Sequence, residues 1–130
     1  MSDIKVTLKE DGKTDILYAP SGTHIVAEPH KKAAGTYISP PDLLAASLAA
    51  CALDVMGKMA AHQQESAAGI SIDVEESMEE HPFRIKEIKL HVSFPASFDA
   101  RKKKLYLASI TPCPVYNSLN PGIKVDVTSN

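Results

Sequence analysis

Apolar and polar residues alternate at both ends of the chain, and between the ends the period lengthens to that of a helix. Ile4, Val6 and Leu8 alternate with polar neighbours, and Asp11-Gly12 forms a turn signal ahead of Ile16-Leu17-Tyr18. Pro20-Ser21-Gly22 marks a second turn before Ile25-Val26-Ala27, so the first third predicts a three-stranded antiparallel meander. Residues 28–38 are a polar, glycine-bearing connection without periodicity of their own. Ser39-Pro40-Pro41-Asp42 then reads as a helix start. Ser39 as N-cap with Asp42 three residues on makes a capping-box-like pair. The restriction that Pro41 imposes on Pro40 favours a start one residue later. In either register Asp42 falls in the first turn, where a carboxylate suits the dipole.

This helix is predicted to run to about Gln64, with Leu44, Leu48, Cys51, Val55 and Met59 recurring at helical spacing. Seven alanines between positions 45 and 61 make it thin and point to a central, packed position. Strands return with Ile70, Ile72 and Val74, and Glu80-His81-Pro82 turns the chain. The apolar parity flips at Lys86-Glu87, from Phe83 and Ile85 to Ile88, Leu90, Val92 and Phe94, which predicts a bulge there. Ser97-Phe98-Asp99 opens a second helix, expected to last to about Ile110. Cys113-Pro114 opens a short third one that Asn120-Pro121-Gly122 stops, and Ile123, Val125 and Val127 make the last strand. The order βββ-α-ββ-αα-β predicts an α+β fold with antiparallel sheets around a central cysteine-bearing helix.

The length of 130 residues suits a single domain spanning 1–130, large enough for one core with little surplus apolar burial. A formal charge of −2 offers no electrostatic footprint for nucleic acid; the basic run Arg101-Lys102-Lys103-Lys104 reads as a solvated helix face. The longest apolar stretch, 43–61, is interrupted by Ser47, Asp54 and Lys58 and is not expected to span a membrane. The N-terminus begins directly with strand-like alternation and carries no secretory pattern. Two cysteines without such a signal predict a cytoplasmic protein with free thiols. His24, His30, His62, His81 and His91 have no metal-ligand spacing, and no phosphate-cradling or Ser-His-Asp motif is present, so neither metal nor cofactor is expected.

The chemistry that remains lies in the two cysteines, 62 residues apart. Cys113, extended before Pro114, is predicted to be the N-cap of its helix with Pro114 at N1. There the dipole and free N–H groups favour thiolate, which makes Cys113 the more acidic thiol on local grounds. Cys51 lies roughly 15 Å into its own helix, beyond the dipole's reach, and needs a cation from elsewhere to become reactive. A redox pair and two inert core thiols are both compatible with this pattern.

The segments SPPDLLAASLAAC (39–51) and CPVYNSLNPGIKVDV (113–127), with their spacing and element order, resemble the family of osmotically inducible protein C and organic hydroperoxide resistance proteins (OsmC/Ohr). The resemblance implies an OsmC-like fold and an intertwined homodimer with its cysteines near the subunit interface. It also implies thiol peroxidase chemistry of peroxiredoxin type. Cys51 would attack an organic hydroperoxide and become a sulfenic acid; Cys113 would resolve it as a Cys51–Cys113 disulfide, which a dithiol, lipoyl-type in one branch, would reduce. Peroxidases of the family hold the attacking thiolate with an N-terminal arginine and a glutamate ten residues before the cysteine. Here that position is Pro41, with Asp42 next to it, and the only arginines are Arg84 and Arg101. Asp42 and Arg84 are therefore the candidate supporting residues, with Lys31 and Lys32 as other possible cations. The alternative is a non-peroxidase dimer of the same fold, serving as a stress-associated or small-molecule-binding module.

Overall fold

A computed structural model describes residues 2–31 and 35–130. The chain forms β1 (Ile4–Leu8), β2 (Thr14–Tyr18), β3 (Thr23–Ala27), α1 (Pro40–His62), β4 (Ser71–Glu80), β5 (Phe83–Ser93), α2 (Ala100–Ala108), α3 (Pro114–Ser118) and β6 (Lys124–Ser129). This is the predicted α+β order. Two compact units divide it, Met1–Leu43 and Leu44–Asn130.

In the first unit β1, β2 and β3 pair antiparallel in sequence order, as the turn signals at Asp11-Gly12 and Pro20-Ser21-Gly22 require. Gly12 and Gly22 supply the positive φ of these turns, 85° and 73°. The register puts Ile4, Val6, Leu8, Ile16, Tyr18 and Ile25 on one face of the sheet. The unit ends with the first turn of α1, where the ambiguity over the helix start resolves in favour of Ser39. The Ser39 N–H donates to Asp42 Oδ2 at 3.1 Å and the Asp42 N–H donates to Ser39 Oγ at 3.3 Å, closing a capping box. Pro40 then takes N1, where its missing N–H costs nothing.

In the second unit α1 packs on a sheet of order β4-β5-β6. The helix buries Ala45, Leu48, Ala49, Ala52, Met56 and Ala60. That stripe is displaced from the predicted one: Leu44 is exposed, and Cys51, Val55 and Met59 are only partly buried. The alanines therefore face the sheet, against Ile85, Ile88 and Leu90 at one end and Val92 at the other. The bulge forms where the parity flip predicts it. Ser77 faces Glu87 and Met78 faces Ile85, so Lys86 has no opposite residue and both apolar halves of β5 point to α1.

One pairing corrects the sequence-based expectation. β4 and β5 are antiparallel, but β6 joins β5 in parallel, with Ile88 opposite Val125 and Leu90 opposite Val127. The reason is the intervening α2 and α3, which form the crossover that parallel neighbours need. Asp99 caps α2 by accepting from the Arg101 N–H at 2.9 Å, and the helix ends at Ala108, two residues short of the expected stop. Tyr106, fully buried, packs from α2 edge-on against Phe98 with ring centroids 5.0 Å apart.

α1 also ends before its predicted limit, at His62. Gln64 adopts φ 57°, the Glu65 N–H reaches the Ala60 carbonyl at 2.8 Å and the Gln64 N–H reaches that of Ala61 at 3.1 Å. This is a Schellman cap with glutamine in the left-handed position that glycine usually fills. Gln64→Gly is expected to raise stability by about 1 kcal/mol, because it removes the steric cost of a Cβ at that φ. Chemical denaturation of the two proteins measures it, and an unchanged or lower midpoint contradicts the assignment.

Candidate functional site

α1 and α3 bring the two cysteines together. Leu48 and Ala52 flank Cys51 on the buried side of α1, which leaves the cysteine half-buried at the edge of that face. Cys113 is the N-cap of α3, at φ −60° and ψ 130°, with Pro114 at N1 as the sequence predicts. Its side chain is fully buried in the cluster that Leu48, Ala49, Ile85, Ile88 and Leu90 form. Cys51 packs against the same cluster, and both thiols are free.

Their electrostatics reverse the local expectation for Cys113. Burial pushes the Cys113 thiol up, and the neighbouring Cys51 pushes it further, while the N–H groups of Tyr116 and Val115 pull it back toward thiolate. Desolvation of a charge outweighs the dipole of a helix of only five residues. Cys113 is thus a thiol that keeps its proton and faces Cys51.

The supporting candidates have other partners. Asp42 closes the capping box with Ser39, about 13 Å of helical rise before Cys51. Arg84, on β5, pairs through Nε with Glu79 Oε1 across the hairpin, and its Nη2 donates to the Gly122 carbonyl at 3.1 Å. Its hydrogen bonds therefore run to the hairpin and to the loop after α3, not to the Cys51 sulfur. Lys31 lies 3.8 Å from Glu28 Oε2, and Lys32 is outside the described residues.

Three further residues with defined partners were not singled out in the sequence. Glu28 is a buried carboxylate that accepts the Tyr37 N–H at 3.1 Å, and nothing in its polar surroundings signals burial. Glu79 had a signal, since it and Arg84 flank a tight turn symmetrically and must face each other across the hairpin. Gly122 was read only as a helix stop, although a Cβ there would come within 2.8 Å of Arg84 Nη1. Between Arg84 and this loop lies a cavity of about 150 Å³, also lined by Leu44, Ile85, Asn120 and Ile123.

The raised pKa of Cys113 carries a pH signature. A thiol whose folded pKa lies above the unfolded value of about 8.5 contributes stability that is complete below that pH and is lost as the pH rises through the folded pKa. Thermal unfolding from pH 7 to pH 10 under reducing conditions is expected to show a declining midpoint. In Cys113→Ala the decline is expected to be shallower, and equal slopes in the two proteins refute the buried, protonated thiol.

Comparison with known proteins agrees with this architecture. No curated protein matches the chain. Among solved structures, a Psychrobacter arcticus 273-4 protein provisionally described as an osmotic stress induced and detoxification response protein is 30% identical. The match covers 100% of this chain and 96% of that one, with a TM-score of 0.90. An OsmC-like protein from Mycoplasma pneumoniae is 22% identical over 100% and 96% of the two chains, with a TM-score of 0.82. The organic hydroperoxide resistance protein OhrB of Bacillus subtilis is 21% identical over 98% and 97%, with a TM-score of 0.71. Residues 33–128 match the model of the OsmC-like protein family. On that match, and on a fold that carries its two cysteines on α1 and at the start of α3, the chain belongs to the OsmC-like protein family.

Proposed function

We propose that the protein is a thiol-dependent peroxidase that reduces organic hydroperoxides through Cys51 and Cys113. The observation that carries this reading is that a half-buried thiol on α1 and a fully buried one at the N-cap of α3 pack into the same side-chain cluster. Cys51 is the sulfur that a hydroperoxide can reach. As thiolate it attacks the O–O bond; the sulfur takes the distal oxygen and becomes a sulfenic acid, and the alcohol leaves with a proton. Cys113 then attacks that sulfur. The S–S bond forms, the S–O bond breaks, and the hydroxyl leaves as water with the proton of the Cys113 thiol. A dithiol, lipoyl-type by analogy with the hydroperoxide resistance branch, restores both thiols and becomes a disulfide itself. The cytoplasm, where thiols stay reduced, suits this cycle.

Cys51→Ser is expected to abolish consumption of an organic hydroperoxide in the presence of a dithiol. Cys113→Ser is expected to complete the first turnover and then to accumulate Cys51 sulfenic and sulfinic acid, detected by mass spectrometry. Hydroperoxide consumption that survives Cys51→Ser refutes the reading. A second reading, a binding or stress-associated module without peroxidase activity, is favoured by the arginines. Arg84 is engaged by Glu79 and Gly122, Arg101 pairs with Asp99, and β1 to β3 contain no arginine. It predicts two thiols of ordinary reactivity and no Cys51–Cys113 disulfide after mild peroxide.

The working form in this proposal is a homodimer. Ile4, Val6 and Leu8 are 58%, 59% and 74% exposed on one face of the first sheet, beside Tyr18 and Ile25. α1 contains an 18-residue window of mean hydropathy 1.5 of which only 33% is buried. By length and composition such a helix could cross a membrane; in this fold it contributes Ala45, Leu48, Ala49, Ala52, Met56 and Ala60 to the protein core. Apolar surface of this extent on both units calls for a covering partner, and a second copy supplies the matching faces. Sedimentation is expected to give a dimer, and Val6→Lys is expected to shift it toward monomer; a wild-type monomer at micromolar concentration contradicts this part of the proposal.

A further inference from the structure

Arg84 is a residue that the peroxidase reading leaves without a task, and its geometry suggests one. The segment 111–123 carries Cys113, α3 and the loop into β6. With one exception, its hydrogen bonds among the described residues are short-range. Thr111 Oγ1 reaches Ala108, the Cys113 N–H reaches Ile110, and the Asn117 N–H reaches Cys113. At the other end the Gly122 N–H reaches Asn120 Oδ1 and the Ile123 N–H reaches the Asn120 carbonyl. The exception is the Arg84 Nη2–Gly122 carbonyl bond, which spans 38 residues and anchors the loop to the β4–β5 hairpin.

The anchor is built from both sides. Glu79, directly opposite Arg84 in the hairpin register, holds Nε and so fixes the plane of the guanidinium. Gly122 accepts it because no side chain occupies the space; a Cβ would lie 2.8 Å from Nη1 and 3.3 Å from Nη2. Val115, Tyr116, Leu119 and Ile123 add only partly buried packing against the cluster that surrounds Cys113. The adjoining cavity, about 150 Å³ between Arg84, Asn120 and Leu44, leaves the loop room to shift when the anchor is released.

We infer that Arg84, oriented by Glu79, is a positioning residue that holds the Cys113 segment in register for disulfide formation with Cys51. A disulfide requires a narrow range of Cβ separations and one S–S torsion. A five-residue helix with short-range hydrogen bonds cannot enforce that geometry alone. The anchored loop, nine residues after the resolving thiol in the chain, limits how far α3 can drift while the sulfenic acid waits. Removal of the anchor lowers the effective concentration of Cys113 at Cys51 and leaves the first oxidation untouched. The role rests on Cys51–Cys113 closure but not on the identity of the oxidant.

The test separates those two dependencies. Diamide takes two electrons and two protons from the Cys51 and Cys113 thiols, becoming its hydrazine as the disulfide forms, and needs no peroxidase chemistry. Closure is followed by non-reducing mass spectrometry after rapid acid quench. Arg84→Gln is expected to slow it roughly tenfold. Gly122→Ala, which displaces the guanidinium from the opposite side, is expected to slow it less, and Arg84→Lys to restore part of the rate. With an organic hydroperoxide, Arg84→Gln is expected to form Cys51 sulfenic acid at the wild-type rate, trapped by dimedone, but to overoxidise more at Cys51. A loss of structure is recognised separately, because it would open Cys113 to alkylation in the reduced protein, whereas a released anchor keeps it protected. Wild-type closure rates in both Arg84→Gln and Gly122→Ala overturn the inference, as does the absence of any diamide-driven disulfide in the wild type. Slow closure in the variants, with no sulfenic acid formed by hydroperoxide in any protein, upholds the anchor and refutes the peroxidase reading.

Discussion

The burial of an alanine-rich helix face against a bulged strand is the constraint on which the second unit depends. Ala45, Ala49, Ala52 and Ala60 present little side-chain volume, so Leu48 and Met56 are the large groups that α1 sends into the core. For β5 to meet that face along its whole length, its apolar residues must point one way before and after Lys86, and the bulge makes this possible. The consequence reaches the site. Cys51, adjacent to Ala52 and Leu48 on the helix surface, falls at the margin of the buried face, and Cys113 falls inside the cluster that this face closes.

The chemistry at the thiol pair follows from that difference in depth. A cysteine at a helix N-cap gains from the dipole and from unpaired N–H groups, which is a local effect of tenths of a kcal/mol to about 1 kcal/mol. Complete removal of a thiolate from water costs more than this. The Cys113 sulfur is held in its neutral form, and its short helix then serves geometry more than acidity. The difference in exposure between the two sulfurs comes from packing: Cys51 is half-buried and Cys113 fully buried.

Arg84 illustrates how a residue type can be right and its partner wrong. A lone arginine near the site is an obvious candidate cation for a thiolate. In the fold it sits opposite Glu79, a carboxylate that the hairpin brings within reach, and its second donor meets a carbonyl left open by Gly122. A charged, directional partner on a paired strand outcompetes a half-buried sulfur.

Much of the architecture was legible because its causes are local. Ser39 and Asp42 are three residues apart and cap their helix whatever lies around them, Cys113 and Pro114 set the start of α3 by backbone restriction, and the parity flip at Lys86 is written into one strand. The resemblance of 39–51 and 113–127 to a known family rested on such local runs as well. What the residues alone left open depends on contacts between distant segments. The parallel pairing of β6 with β5, the choice of alanines for most of the buried stripe of α1, the partners of Arg84, and the more deeply buried of the two sulfurs arise only when separate elements of the chain are packed together. Sequence by itself determined the order of the elements and, to within a residue, the starts of α1 and α3, because capping, proline geometry and periodicity act within a few residues. Tertiary structure decided that the Cys113 thiol is pushed up despite its N-cap position, because desolvation is a property of the surroundings and not of the residue.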